Sequence, residues 1–175
     1  LNDTINETLA LEAVAGAENC DVAIVFAGLT NEYESEGFDR DDLSLPKQQN
    51  ELIHRVASAQ PNTVVVLAGG APVEMPWLGQ VRAVLNMLLA GQAGGLAAAD
   101  LLTGRVNPGG KLAATYPIQY ADVPSAGFYE EGGRQAQYRE SIYVGYRYYD
   151  KAAKEVLFPF GHGLSYTTFE YSDLK

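Results

Sequence analysis

Six carboxylates fall within eleven residues of the stretch NEYESEGFDRDDLSLP, residues 31–46: Glu32, Glu34, Glu36, Asp39, Asp41 and Asp42. Arg40 is the only positive charge in it. Like charges this close repel, so the cluster does not stabilise a fold by itself. Crowded carboxylates bind protons more tightly, and a partly buried one can stay protonated near neutral pH. A protonated carboxylic acid is what general acid catalysis needs to protonate a departing oxygen. Glu32, Glu34 and Glu36 alternate, so an extended backbone would point all three to one side. Two other readings stand beside this one. The stretch could be a solvated surface loop, or a calcium site, although its spacing is not that of a helix-loop-helix calcium motif.

The elements around the stretch say where it must sit. DVAIVFAGL, residues 21–29, is a continuous apolar, β-branched run, the pattern of a strand covered on both faces. The acidic stretch follows its carboxyl end. In an open parallel sheet, that is where ligands bind. LPKQQNELIHRVASA reads as a helix that Pro46 can open, with Leu52, Ile53, Val56 and Ala57 as its buried stripe. NTVVVLAGG is a second buried strand stopped by glycines, and VRAVLNMLL a third. AGQAGGLAAADLLTG is a glycine turn opening a small-residue helix that ends at Gly104. Ahead of them, residues 4–19 read as an amphipathic helix with Leu9, Ala13 and Ala17 on one stripe. Alternating strands and helices predict an α/β fold: a mostly parallel open sheet with helices on both faces, an α/β sandwich. After Asn107 the texture changes. Residues 118–137 are rich in Gly, Pro and Tyr without a period and read as a long loop. YRESIYVGYRYYD alternates and is aromatic, which predicts an antiparallel C-terminal edge strand. Its tyrosines, Tyr143, Tyr146, Tyr148 and Tyr149, could stack on a sugar or pack on a neighbouring domain.

The totals narrow the partners. The 175 residues are 47% hydrophobic, enough for one domain with a sizeable core, and carry a net charge of −10. That charge repels nucleic acid and anionic membranes, so neither is expected as a partner. Cys20, the one cysteine, cannot form an internal disulfide and reads as a buried thiol. His54 and His162 lie far apart and read as structural; with Cys20 they offer no transition-metal cluster, and no cofactor is expected. AGQAGG is neither a dinucleotide fingerprint nor a P-loop, and SYTTF lacks the context of a serine nucleophile. No apolar run approaches the roughly 20 residues of a membrane span. The chain starts at Leu1, so an N-terminal portion is expected to be missing. Asn2-Asp-Thr4 and Asn6-Glu-Thr8 fit the N-glycosylation pattern and lean toward a secreted or periplasmic location.

GLTNEYESEGFDRDDLSLP resembles the loop after the first strand of the C-terminal α/β-sandwich domain of glycoside hydrolase family 3, the β-glucosidase type. VVVLAGGAPVEMPW, LLAGQAGGLAAADLLTGRVNPGGKLAATYP, YRESIYVGYRYYD and FPFGHGLSYTTFEY match in the same order, so the resemblance covers nearly everything from 21 to 171. It implies hydrolysis of terminal non-reducing β-D-glucosyl residues with retention. A nucleophilic aspartate would come from a separate barrel domain, and the general acid/base from this acidic loop. Glu36, in EGFDR, matches the acid/base position best, with Glu34 and Glu32 as runners-up. Asp39 and Arg40 match a recurrent pair that could fix the loop by an ion pair. The resemblance divides the chain into a sandwich domain, 1–160, and an exit segment, 161–175, leading toward a fibronectin type III-like domain. With the barrel absent, the fragment by itself is expected to be inactive. Two other functions compete. One is a non-catalytic carbohydrate-binding or scaffolding module; the other is a flavodoxin- or receiver-like signalling domain, for which the loop is a poor match.

Overall fold

The computed structural model describes residues 4–129 and 137–174. Three strands, β1 (Ala23–Gly28), β2 (Thr63–Ala68) and β3 (Ala83–Asn86), form one parallel sheet in the order β1-β2-β3. Ala23 pairs with Thr63 and Gly28 with Ala68; Val64 pairs with Ala83 and Leu67 with Asn86. Helix α1 (Glu7–Glu18) precedes the sheet and α2 (Lys47–Ala59) joins β1 to β2. Helix α3 (Gly94–Leu102) follows β3, and α4 (Tyr146–Ala152) lies near the C-terminus. The mostly parallel open sheet expected from the sequence is therefore present.

Each helix begins where local chemistry allows it. The Asn6 side-chain oxygen accepts the Leu9 N–H at 3.2 Å, starting α1. Pro46, which has no N–H to leave unsatisfied, immediately precedes α2, and its carbonyl accepts from Gln49 at 2.9 Å. Of the expected stripe, Ile53, Val56 and Ala57 are buried and Leu52 is half-buried. In α1 the period holds but the phase shifts. Ala10 and Ala17 are buried and Leu9 is exposed, so of the expected stripe only Ala17 is inside. Small residues at 10 and 17 let α1 approach α2, and Arg55 of α2 reaches Glu7 at 2.6 Å. The Gln60 side-chain amide ties the seam by donating to the carbonyls of Ala17 and Cys20.

The core lies under the carboxyl end of the sheet. Leu45, Ile53, Val65, Leu67, Val73 and Trp77 are its most enclosed apolar members, joined by Tyr116. Gly28 shows how tightly β1 and β2 meet, since a Cβ there would overlap the Ala68 carbonyl oxygen. The Gln49 side chain exchanges hydrogen bonds with Gly28, accepting its N–H at 2.8 Å and donating to its carbonyl at 2.9 Å. Helix α2 thus closes the outer edge of β1 at its last residue.

Three further expectations change. β1 is not covered on both faces: Ile24 and Phe26 are 45% and 69% exposed, and no described element shields that side. The aromatic stretch at 138–150 is not an antiparallel edge strand. It forms turns and then α4, because Tyr146 and Tyr149 are three apart and meet separate partners. Tyr149 goes inside, while Tyr146 stacks on Phe160 at 5.0 Å. Cys20 is exposed; it lies just past the end of α1, where its thiol donates back to the Gly16 carbonyl. The loop expected at 118–137 contains a 3-10 turn at Tyr120–Asp122, and its residues 130–136 lie outside those described. His54 meets Gln80 (2.7 Å) and His162 lies against Phe158, structural positions for both. Among the described residues no helix is long and apolar enough to cross a membrane.

That 3-10 turn carries a pH-dependent contact. Lys154, just after α4, meets Asp122 Oδ1 at 2.9 Å. The Lys154 hydrogen bond holds the Asp122 carboxyl below the usual carboxylate range, against the opposing effect of burial. The same bond holds the Lys154 ammonium above its usual range. A carboxyl depressed by folding stabilises above its unfolded value, about 3.9, and loses that contribution as pH falls through the lower folded value. Asp122→Asn is therefore expected to lower the melting temperature at pH 7, with the gap to wild type closing below about pH 4. Thermal denaturation of both proteins across pH 2–8, as a rough window, checks it. A gap that stays constant with pH would show that the pair contributes nothing through ionisation.

Candidate active site

Parallel pairing brings three strand ends to one edge. The Leu29 N–H donates to the Ala68 carbonyl (2.9 Å), the Gly69 N–H to that of Leu88 (3.3 Å) and the Met87 N–H to that of Leu67 (2.8 Å). The acidic loop leaves this edge. It is not extended: the Tyr33 and Glu34 N–H groups both donate to the Thr30 carbonyl at 2.9 Å, folding the start of the loop into a turn. Ser35 and Phe38 then form an antiparallel bridge, leaving Glu36 and Gly37 at the tip between them.

The three alternating glutamates consequently separate. Glu32 and Glu36 are exposed, whereas Glu34 is half-buried. Glu34 Oε2 accepts the Gly70 N–H, just beyond β2, at 2.8 Å. A Cβ on Gly70 would lie 3.0 Å from Glu34 Oε1, so the glycine leaves the room that the carboxylate fills. Asn86, the last residue of β3, donates to the Tyr116 hydroxyl at 2.7 Å beside this point. Burial pushes the Tyr116 hydroxyl up; the Asn86 bond opposes this and the Glu34 charge adds to it.

The far side of the loop is held by Arg40. Its guanidinium donates to the carbonyls of Ser44 (3.1 Å) and Pro72 (3.4 Å). Burial pushes Arg40 down from its usual range, while Glu34 and Asp42 counter the shift. The expected Asp39–Arg40 ion pair does not form among the described residues; Asp39 is exposed and Arg40 spends its donors on carbonyl oxygens. Asp42 accepts the Ser44 N–H at 2.7 Å and the Glu74 N–H reaches the Leu43 carbonyl at 2.8 Å. Leu45 then plunges into the core. Between the loop and α2 lies an open depression of about 350 Å³, lined by Glu32, Phe38, Asp39, Arg40 and Lys47 among others.

Chemically, this is an exposed carboxyl on a short turn, braced on one side by Gly70 just past β2 and on the other by the Ser44 and Pro72 carbonyls. It can give or take a proton at a group brought up from outside. Sequence reasoning placed the loop and nominated Glu36, Glu34 and Glu32, but it missed Gly70, Asn86 and Tyr116. The paired glycines ending VVVLAGG were visible as a strand stop; that Gly70 faces a carboxylate depends on the register of β1 and β2.

The fold and this edge define a class. The sequence profile of the glycosyl hydrolase family 3 C-terminal domain matches residues 2–166, and the chain belongs to that family. It is 56% identical to a thermostable beta-glucosidase B of Acetivibrio thermocellus, over 99% of this chain and 23% of that protein. Among solved structures, it superposes on a beta-glucosidase from Kluyveromyces marxianus in complex with glucose with a TM-score of 0.91 and 43% identity. That match covers 94% of this chain and 20% of the other. DesR, a beta-glucosidase from Streptomyces venezuelae in complex with D-glucose, gives a TM-score of 0.85 at 48% identity, covering 93% and 21%. The chain thus spans less than a quarter of the length of each of these relatives.

Proposed function

We propose that this chain supplies the general acid/base of a retaining β-glucosidase, with Glu36 in that role. The observation that carries the proposal is the placement of Glu36. It stands exposed at the tip of a braced turn, beyond the carboxyl ends of the strands, where open parallel sheets bind ligands, in a domain whose relatives are beta-glucosidases. The nucleophilic aspartate would come from a barrel domain elsewhere in the polypeptide, and a fibronectin type III-like domain would follow residues 161–175. In the first step the aspartate attacks the anomeric carbon while the Glu36 carboxyl protonates the departing glycosidic oxygen. In the second, the Glu36 carboxylate takes a proton from water, which attacks the glycosyl-enzyme and releases glucose. The two carboxyls work about 5–5.5 Å apart in such a pair.

The 175-residue chain alone is expected to fold but not to turn over p-nitrophenyl β-glucoside. General acid assistance contributes about 10²–10⁴-fold and cannot form the covalent intermediate. Adding the rest of the polypeptide as a separate piece should restore turnover. Robust hydrolysis by the purified chain alone would overturn the shared-site proposal.

A further inference from the structure

We infer that Glu34 is a positioning residue: its side chain locks the turn that presents Glu36 by occupying the space over Gly70 and accepting the Gly70 N–H. This rests on the assignment of acid/base chemistry to Glu36. Two observations carry it. The bond itself is 2.8 Å long and spans 36 residues of sequence, joining the loop after β1 to the end of β2. The second is the fit, because the missing Gly70 side chain is the room that the Glu34 carboxyl fills, bounded on its other side by Leu89. Glu34 stands one residue before the Ser35–Phe38 bridge and Arg40 two residues after it. The bridge is thus braced on both sides, by Gly70 on one and by the Ser44 and Pro72 carbonyls on the other. With the first brace gone, the turn pivots on Arg40 and the Glu36 carboxyl loses its fixed position. A misplacement of about 1 Å at a reacting group can cost about 10²-fold in rate.

What matters in this role is reach and an acceptor oxygen, not charge. Three variants of the complete polypeptide separate these properties. Glu34→Gln keeps the length and an acceptor oxygen but loses the charge. Glu34→Asp keeps the charge but is one methylene short of Gly70. Gly70→Ala leaves Glu34 intact and crowds its carboxyl. For substrates with alkoxide or sugar leaving groups, Glu34→Gln should stay within about threefold of wild type in kcat. Glu34→Asp should fall by about 10²-fold in kcat with little change in KM. Gly70→Ala should fall in the same direction, and combining it with Glu34→Asp should cost little more than Glu34→Asp alone. The dependence of rate on the leaving group should not change in Glu34→Gln, since the proton donor is elsewhere. The reverse order, with Glu34→Asp active and Glu34→Gln lost, would show that Glu34 acts through its charge or its proton and would overturn the inference. Equal activity in all three would show that the anchor is idle and would overturn it too. Glu36→Gln in the same assays keeps the two proposals apart. If it lacks leaving-group dependence, the assignment of Glu36 has failed; if it shows it, a failed Glu34 series counts against the anchor alone.

Discussion

In the complete polypeptide, Glu36→Gln should slow hydrolysis of glucosides with poor leaving groups by about 10²–10⁴-fold, and of nitrophenyl glucosides much less. The amide keeps the shape of the side chain and removes its proton. An alkoxide or sugar cannot depart without that proton, whereas a nitrophenolate can. The second step suffers as well, because the same group must take a proton from the attacking water. In Glu36→Ala, added azide should restore turnover of activated substrates, since a small anion attacks the glycosyl-enzyme without a base. The product should be β-glucosyl azide, with configuration retained. Rates across a leaving-group series, with and without azide, supply the measurement. If Glu34 variants show both signatures and Glu36 variants neither, the chemistry belongs to the other carboxylate of the same turn. If no acid in the loop shows them, its charge is structural.

The second large effect concerns the support beneath the loop. Trp77→Ala is expected to destabilise the chain by about 3–5 kcal/mol. Trp77 is 1% exposed, and its indole N–H donates to Asn50 Oδ1 at 2.8 Å on the helix into which the acidic loop runs. Truncation opens a cavity beside Leu45 and Ile53 and leaves the Asn50 oxygen without its donor, at a further cost of about 1–3 kcal/mol if water does not enter. Whole domains are stable by about 5–15 kcal/mol, so the loss is a large share. Trp77→Phe keeps part of the volume and should lose less. Guanidinium unfolding followed by circular dichroism checks both. A loss of under about 1 kcal/mol for Trp77→Ala would show that the site collapses without penalty.

These two residues differ in how legible they were. The strand that became β2 and the helix that became α2 were readable because period and side-chain type agree. VVVL is apolar with three β-branched valines, and Ile53, Val56 and Ala57 recur at helical spacing. The loop's place followed from the order of those elements. Phase was harder: α1 turned Ala10 inward rather than Leu9, because close approach to α2 favours a small side chain. Residues 138–150 misled because tyrosine and valine favour strands in general, while burial of Tyr149 was decided by packing. The alternation of Glu32, Glu34 and Glu36 suggested a shared face, but hydrogen bonds to the Thr30 carbonyl curl the segment and send only Glu34 inward. Contacts such as Glu34 with Gly70, or Trp77 with Asn50, join distant segments, and no local pattern announces them.

The bond from Glu34 to Gly70 also dates the loop within the life of the folding chain. Closing 36 residues costs entropy before any contact repays it, and parallel strands cannot pair through a short hairpin. Until Gly28 stands beside Ala68, the Gly70 N–H has no fixed position for a carboxylate to find. The turn can curl on its own bonds to the Thr30 carbonyl, but its anchored position exists only where the sheet does. An opening of the β1–β2 seam at Gly28 and Ala68 would release that anchor and leave the Glu36 carboxyl unplaced.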